Sequence, residues 1–139
     1  METSAVSRRG VLQAGVIAAA AGPAFAQTQD GAIFQHGVAS GDPDANSVLI
    51  WTRVTGRGEA RGRWIVARDA HLRRVIAHGE FVARAERDYI VKQIVSGLSP
   101  GRDYFYAFEC DGVRSPIGRT RVLPHGHVET LDLAIACCA

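Results

Sequence analysis

The sequence predicts an all-β fold for the part of the chain that follows its first 26 residues. Short apolar runs recur at intervals of about a dozen residues, and several alternate apolar and polar positions with the period of two that is typical of a half-buried strand. Clusters of glycine, proline and aspartate separate the runs, as expected of turns. Together, these observations predict short strands packed as a sandwich.

Residues 1–26 are predicted to be a twin-arginine signal peptide. Ser7-Arg8-Arg9 opens a basic segment, and the uncharged, mostly apolar run from Val11 to Gly22 is too short to span a bilayer. Ala24-Phe25-Ala26 has the small-x-small pattern that signal peptidase cleaves. We therefore expect a periplasmic or secreted protein that engages the twin-arginine translocase and has no stable membrane insertion after cleavage. An ordinary secretory signal that happens to carry paired arginines is the alternative.

Cleavage after Ala26 leaves 113 of the 139 residues, enough for one small domain and too few for a large enzyme. The full chain has a formal net charge of +2, and its mature part, without Arg8, Arg9 and Glu2, has +1. Such a balance gives no reason to expect nucleic acid or an anionic membrane as a partner. Glycines and Glu59 interrupt an arginine cluster, which predicts a solvated turn that contains Arg53, Arg57, Arg61 and Arg63.

The cysteine count is odd, with Cys110, Cys137 and Cys138. In an oxidising compartment an odd count leaves at least one cysteine free or metal-bound. Adjacent cysteines in a strand point to opposite faces and rarely pair with each other. Pairing of Cys110 with one of the other two stays open.

The predicted strands follow one another with a turn between each pair. The first apolar run covers residues 34–39, and the turn cluster Gly41-Asp42-Pro43-Asp44 separates it from a buried strand at residues 47–52. A glycine-rich turn spans residues 56–62. The next strands are predicted at Trp64 to Ala67, Val75 to His78 with Phe81-Val82, and Tyr89 to Val95.

The segment from Leu98 to Tyr104 joins a strand end to a Pro-Gly turn and then to an aromatic strand. Leucine and tyrosine six residues apart around such a turn resemble the tyrosine corner of fibronectin type III domains. We therefore predict a fibronectin type III/immunoglobulin-like β-sandwich over residues 27–124. Alternation points one face of the aromatic strand into the core, namely Tyr104, Tyr106, Phe108 and Cys110, and the other face outward, namely Phe105, Ala107 and Glu109.

Asp111-Gly112 predicts a tight hairpin turn, and residues 117–122 are the expected last strand of the sandwich. Residues 125–139 are predicted to be a linker and the first strand of a truncated further domain. The run from Leu131 to Cys138 is almost continuously apolar, which is typical of a strand buried on both faces of an α/β sheet. We expect a second domain to follow, with an eighth sandwich strand as the alternative.

No dense catalytic or metal-binding pattern stands out among the scattered side chains His36, Asp42, Asp44, Asp69, His71 and His78. The sequence lacks an HExxH pair, a paired CxxC, a glycine-rich phosphate loop and a serine-centred elbow. Hydrogen bonds of an Asx turn explain the aspartates at residues 41–44 better than a calcium site does. His125-x-His127 offers too few ligands for a metal site, and we interpret this segment as a linker. Cys138, at the end of a predicted central strand, is a candidate metal ligand or a buried structural cysteine.

The blocks Phe-Gln-His-Gly-Val-Ala-Ser-Gly-Asp-Pro at residues 34–43 and Ser-Val-Leu-Ile-Trp-Thr-Arg at residues 47–53 resemble the amino-terminal domain of PhoD-type alkaline phosphatases. The resemblance continues through residues 98–101 and 104–106. It implies phosphomonoesterase and phosphodiesterase activity, twin-arginine export, and a sandwich followed by a large metallophosphoesterase-like domain that holds iron and calcium. It also implies that Cys138 corresponds to the iron ligand of an Ala-Ser-Cys-Gln motif. Cys137 and Ala139 depart from that motif.

The sequence therefore indicates the amino-terminal part of an exported phosphatase, whose partners are a missing catalytic domain and a phosphate-ester substrate. One cysteine cannot hold a hydrolytic metal, so we expect this chain to retain neither iron nor calcium and to be inactive, with no catalytic residue of its own. A free-standing secreted fibronectin-like binding module is the alternative. The purple acid phosphatases also carry an amino-terminal sandwich, but the signal peptide and the block at residues 37–43 argue against them.

Overall fold

The computed structural model describes residues 33–56 and 58–130 and Ala134. The predicted signal peptide and the apolar run at residues 131–139, apart from Ala134, lie outside the described residues. In the described part, one short 3-10 helix, Ala85–Arg87, accompanies the strands, and no helix there is long and apolar enough to cross a membrane. The strands are β1 (Val38–Gly41), β2 (Ser47–Arg53), β3 (Ala60–Ala67), β4 (Val75–Ala83), β5 (Ile90–Ser96), β6 (Asp103–Cys110), β7 (Val113–Arg114) and β8 (Gly118–Arg121).

Two antiparallel sheets form the predicted all-β sandwich, which is confirmed. The small sheet has the strand order β1-β2-β5, and the large sheet has the order β4-β3-β6-β7 with β8 also paired to β6. Alternation explains how the sheets pack face to face, because β2 buries every second residue while its other residues stay partly exposed. A core of apolar side chains from both sheets fills the space between them.

The even-numbered positions of β6 form the centre of this core. Tyr104 and Phe108 have no exposed surface, and Tyr106 and Cys110 are 2% exposed, as the alternation predicts. The buried hydroxyl of Thr52 is also satisfied, because its Oγ1 donates a hydrogen bond of 2.8 Å to the carbonyl oxygen of Gly37. The core therefore combines aromatic packing with satisfied polar groups.

The outward face of β6 is less exposed than the alternation alone suggests. Ala107 points away from the main core and is nevertheless fully buried. The loop between β3 and β4 folds Leu72 over Ala67 and Ala107, and Phe105 packs against the edge of this cluster. The large sheet thus covers part of its own outer surface.

The predicted glycine-rich turn at residues 56–62 is wrong at its carboxyl end, because β3 already begins at Ala60. Gly62 lies inside the strand directly across from Phe81, and Gly79 lies across from Trp64. Each aromatic ring lies over the glycine opposite, which therefore has a packing role rather than a turn role. Since Gly79 continues the pairing, the two predicted runs at residues 75–78 and 81–82 are one strand, β4.

The ends of the sandwich agree more closely with the sequence. Asp111 and Gly112 have φ angles of 50° and 76° and connect Cys110 to its partner Val113, so the predicted tight hairpin is confirmed. The last strand, β8, is shorter than predicted. In the first predicted run only the end is strand, because Gly37 with φ of 65° donates its N–H to the carbonyl oxygen of Phe34 in a turn.

The predicted tyrosine corner is present between β5 and β6. The backbone N–H of Ser99 donates a hydrogen bond of 2.8 Å to the hydroxyl oxygen of Tyr104, and Leu98 is buried beside it. This bond satisfies a backbone donor that the turn would otherwise leave without a protein partner. The corner therefore ties the connection between the two sheets to the large sheet.

We expect Tyr104→Phe to lower the free energy of unfolding by about 1–3 kcal/mol, because the N–H of Ser99 loses its partner while the ring remains in place. Urea unfolding followed by circular dichroism measures the change. Tyr89→Phe is the matched control, since the Tyr89 hydroxyl accepts only an exposed N–H from Gly58 at 3.3 Å. Equal losses in the two variants would contradict a special role for the corner.

Candidate functional site

The turn at residues 41–44 is held by its own hydrogen bonds. Asp44 accepts the N–H of Ala45 on Oδ1 at 2.7 Å, and its backbone N–H donates to the carbonyl oxygen of Ser47 at 2.8 Å. The carbonyl oxygen of Asp44 accepts the N–H of Leu123 at 2.9 Å. The side-chain hydrogen bond of Asp44 is thus local, but it accepts from the next residue and not from two residues on, as an Asx turn would; the turn also anchors the segment that follows β8.

The carboxylate of Asp69 closes the loop between β3 and β4. It accepts backbone N–H groups of Arg74 at 2.8 Å, His71 at 3.1 Å and Arg73 at 3.2 Å. The Arg74 bond is the main reason that the pKa of Asp69 is below its ordinary value, with partial burial opposing it. An ionised carboxylate whose lone pairs are occupied in this way acts as a structural acceptor and not as a general base.

His36 belongs to a surface cluster with Arg53 and Asp88. The Arg53 guanidinium contacts His36 Nε2 through NH1 at 2.8 Å and donates from NH2 to Asp88 Oδ1 at 2.7 Å. Because arginine only donates, Nε2 must accept. Arg53 therefore links His36 to Asp88 at the end of β2. The prediction that Arg53 lies in a solvated turn is wrong. Arg61 and Arg63 likewise lie on β3, and Arg57 lies outside the described residues.

Glu109 is the centre of a second charged cluster on the large sheet. It forms ion pairs with Arg63 and, at 2.6 Å, with Arg114. Burial raises the pKa of Glu109, but the hydrogen bonds from Arg114 and Arg63 outweigh it and lower the pKa overall. The groove beside this cluster, of about 850 Å³, is lined by Arg61 and Arg63 and by the carboxylates of Glu80, Glu109 and Asp111, so it has no excess of positive charge.

Cys110 lies next to Glu109 and is buried. Its thiol donates to the carbonyl oxygen of Arg61 at 3.3 Å, and within the described residues it forms no disulfide. Burial, together with the neighbouring Asp111, raises the pKa of the thiol, which keeps the sulfur protonated. Cys110 thus behaves as a core residue, and its pairing with a cysteine outside the described residues stays untested.

A second groove, of about 550 Å³, lies at the other end of the large sheet and is lined by Arg68, Arg74, Pro100, Gly101, Arg102 and Asp103. We call it the arginine groove. Its cations are poorly neutralised, because Asp103 is engaged by Arg119 at 2.8 Å and the Asp69 carboxylate is 3.9 Å from Arg74. Among the described residues, neither Arg68 nor Arg102 forms an ion pair.

Sequence reasoning missed the arginine groove. Its arginines come from two loops, Arg68 and Arg74 from the β3–β4 loop and Arg102 from the β5–β6 loop. No spacing along the chain brings these segments together, and only the pairing of β3 with β6 does so. The chain's near-neutral net charge conceals this local concentration.

The described residues offer no ligand set that fits iron or calcium. No group of three or more histidine, cysteine, aspartate or glutamate side chains in that part of the chain is arranged to hold a metal ion. His125 and His127 are exposed beyond β8, and His71 and His78 are exposed at or near the β3–β4 hairpin. Cys137 and the candidate ligand Cys138 lie outside the described residues.

Comparison with known proteins gives concordant matches in sequence and fold. The family described as PhoD-like phosphatase, N-terminal domain, matches residues 18–124. Alkaline phosphatase D of Bacillus subtilis (strain 168) is 34% identical over 116 residues, which cover 76% of this chain and 20% of that protein. A solved structure of PhoD is 33% identical with a TM-score of 0.67, covering 70% of this chain and 20% of the other. This chain therefore spans about a fifth of the length of these relatives.

A more distant match shows the fold alone. The solution structure of the sensor domain of the anti-sigma factor RsgI4 in Pseudobacteroides cellulosolvens has a TM-score of 0.52 at 10% identity. The match covers 72% of this chain and 92% of the sensor domain. The same sandwich therefore occurs in proteins with little sequence in common.

Proposed function

Because the chain belongs to the PhoD-like phosphatase family, whose N-terminal domain it matches, we propose that it is the non-catalytic amino-terminal part of an exported phosphatase that hydrolyses phosphate esters. The match over residues 18–124 carries this proposal, together with the small share of alkaline phosphatase D that it spans. Hydrolysis by a metal needs several protein ligands around open positions. We therefore assign hydrolysis to a domain that follows the sandwich.

Export by the twin-arginine route to the periplasm or the medium is part of the same proposal. Ser7-Arg8-Arg9, the short apolar run and Ala24-Phe25-Ala26 support it. A fusion of residues 1–30 to a reporter that folds in the cytoplasm tests the route. We expect export of this fusion and loss of export in its Arg8→Lys/Arg9→Lys variant. Continued export of the variant would overturn the route.

Iron and calcium are proposed as ions of the following domain. Cys138 is the position at which the family resemblance implies an iron ligand, and Cys137 and Ala139 differ from the motif around it. Since the described residues do not fit either ion, the sandwich itself takes no part in metal chemistry in this proposal.

The outer face of the small sheet is the surface that we assign to the catalytic domain. Leu49 and Ile94 face each other across β2 and β5, and Ile94 is 63% exposed. The large sheet covers part of its outer face with Leu72 and with ion pairs, although Val75, Ile76 and Val82 of β4 are also exposed. Ile94 and the partly exposed Leu49 opposite it form the apolar surface to which we assign this protein partner.

The path of the chain after β8 also supports assigning this surface to the catalytic domain. The N–H of Leu123 bonds to Asp44 beside the start of β2, and the N–H of Gly101 bonds to Leu123 beyond the end of β5. Residues after Pro124 therefore leave the sandwich at the end where Leu49 and Ile94 lie. A domain that continues from this point is within reach of the small sheet.

Phosphatase assays test the catalytic part of the proposal. The purified 139-residue chain, supplied with iron and calcium, is expected to hydrolyse neither p-nitrophenyl phosphate nor bis(p-nitrophenyl) phosphate above a metal-only blank. Alkaline phosphatase D serves as the positive control under the same conditions. Turnover that disappears in Cys138→Ser would overturn the assignment.

The reading frame beyond Ala139 supplies the second test. We expect it to encode further aspartate, asparagine and histidine ligands of a metallophosphoesterase domain. The absence of such ligands would favour a free-standing fibronectin-like binding module instead.

A further inference from the structure

We propose that the arginine groove binds phosphate groups of an extended, polyanionic phosphoester substrate. The inference rests on the proposed function, and it adds a binding site outside the hydrolytic centre. The occupant is a chain that carries several phosphates and not a single small phosphate ester.

Unneutralised positive charge is the first observation behind this assignment. Arg68 and Arg102, which form no ion pair among the described residues, line the groove together with Arg74, whose nearest carboxylate is that of Asp69 at 3.9 Å; the one carboxylate in the lining, that of Asp103, is engaged by Arg119. In the strand register Arg121, which does not itself line the groove, lies directly across from Asp103. Like charges that line one groove repel one another, and an anion that binds between them relieves this repulsion.

The other arginine clusters behave differently. Arg61 and Arg84 both pair with Glu59, at 2.6 Å and 2.9 Å, and Arg63 and Arg114 both pair with Glu109. These pairs neutralise the opposite end of β3 and its neighbours. The arginines at one end of β3 are thus paired with carboxylates, whereas Arg68, beyond its other end, has no ion-pair partner among the described residues.

Guanidinium groups suit phosphate in particular. Each presents a planar fork of N–H donors that matches two phosphate oxygens, and such charge-assisted hydrogen bonds are stronger than neutral ones. All three groove arginines are exposed, so water and salt weaken each single contact. A chain of phosphates overcomes this weakness, because once one phosphate is bound the others are held at high effective concentration.

The position of the groove connects it to the following domain. The N–H of Gly101 donates to Leu123 at 3.0 Å, and the N–H of Val122 donates to the carbonyl oxygen of Arg102 at 3.3 Å. The loop that carries Arg102 is therefore fastened to the segment through which the chain leaves the sandwich. A phosphate held here lies beside the domain junction, where a neighbouring ester of the same substrate is presented for hydrolysis.

Calorimetric titration of the full 139-residue chain with inorganic polyphosphate tests the proposal. We expect saturable binding that weakens as sodium chloride rises from about 50 to 200 mM, and binding of inorganic phosphate that is weaker by at least about tenfold. Arg68→Gln/Arg102→Gln is expected to reduce polyphosphate affinity by about tenfold or more.

The matched control is Arg61→Gln/Arg84→Gln, which removes the same charge from arginines paired with Glu59. We expect it to change affinity less than about threefold. Equal losses in the two double variants, or no binding of polyphosphate, would overturn the site. Equally tight binding of polyglutamate would overturn the preference for phosphate and indicate an acidic protein partner. Circular dichroism confirms that each variant is folded.

The outcomes of the binding test and of the tests of the proposed function are distinguishable. Polyphosphate binding without a hydrolytic domain in the reading frame would overturn the proposed function and leave the anion site. Hydrolysis by the complete protein without polyphosphate binding by this chain would overturn the anion site alone.

Discussion

Phe108→Ala is expected to lower the free energy of unfolding by about 3–5 kcal/mol, because it removes a fully buried aromatic ring from the centre of the sandwich. The ring of Phe108 meets Phe81 edge to face at a centroid distance of 6.0 Å and Tyr106 at 6.4 Å. Such pairs contribute about 0.5–1.5 kcal/mol beyond the area that they bury. The substitution therefore removes packing that involves β4 and β6 together.

A loss of this size is a large part of the roughly 5–15 kcal/mol that stabilises a typical domain. We expect a large fall in the urea midpoint, or no cooperative transition at all. Ile94→Ala is the control, since it also truncates an apolar strand residue but at a position that is 63% exposed. It is expected to cost less than about 1 kcal/mol. Similar losses in the two variants would contradict the assignment of Phe108 to the core.

The core face of β6 could be predicted because the alternation within a single strand records which residues are buried. Tyr104 to Cys110 shows this period, and a strand that packs one face against another sheet has few alternatives. The tyrosine corner was predictable for a similar reason, since its two partners, Ser99 and Tyr104, are close in sequence. Local patterns thus sufficed for the fold class.

Features that depend on neighbouring strands were not predictable in this way. Gly62 looks like a turn residue, and only its register with Phe81 shows that it belongs to β3. Ala107 was correctly expected to point outward, but its burial depends on Leu72 in a loop more than thirty residues earlier. In both cases the deciding partner is distant in sequence.

The residues considered as candidate sites also differ in whether their partners are near or distant in sequence. The carboxylates of Asp44 and Asp69 form local hydrogen bonds, so their structural role follows from nearby sequence. The arginine groove depends on the β3–β4 and β5–β6 loops meeting at one end of β3 and β6. Cys138 lies outside the described residues, and its role stays a prediction.

Gly62→Val is expected to lower the free energy of unfolding by about 3 kcal/mol or more. A Cβ atom at this position overlaps the backbone carbonyl oxygen of Glu109 on β6 and the ring of Phe81 on β4. The ring has some freedom to move, but the carbonyl oxygen belongs to the strand that pairs with Gly62 through Cys110. The overlap with the carbonyl oxygen is therefore relieved only if β3 and β6 separate locally, which breaks hydrogen bonds between them.

Two further variants separate this cause from a general cost of replacing glycine. Gly56→Val makes the same change where nothing lies within 4 Å of the added Cβ atom, and we expect a loss below about 1 kcal/mol. Gly62→Val combined with Phe81→Ala removes the ring but keeps the carbonyl contact. Because the backbone clash remains, this double variant should be no more stable than Gly62→Val alone in urea unfolding. Recovery of stability would show that the ring, and not the paired strand, excludes a side chain from position 62.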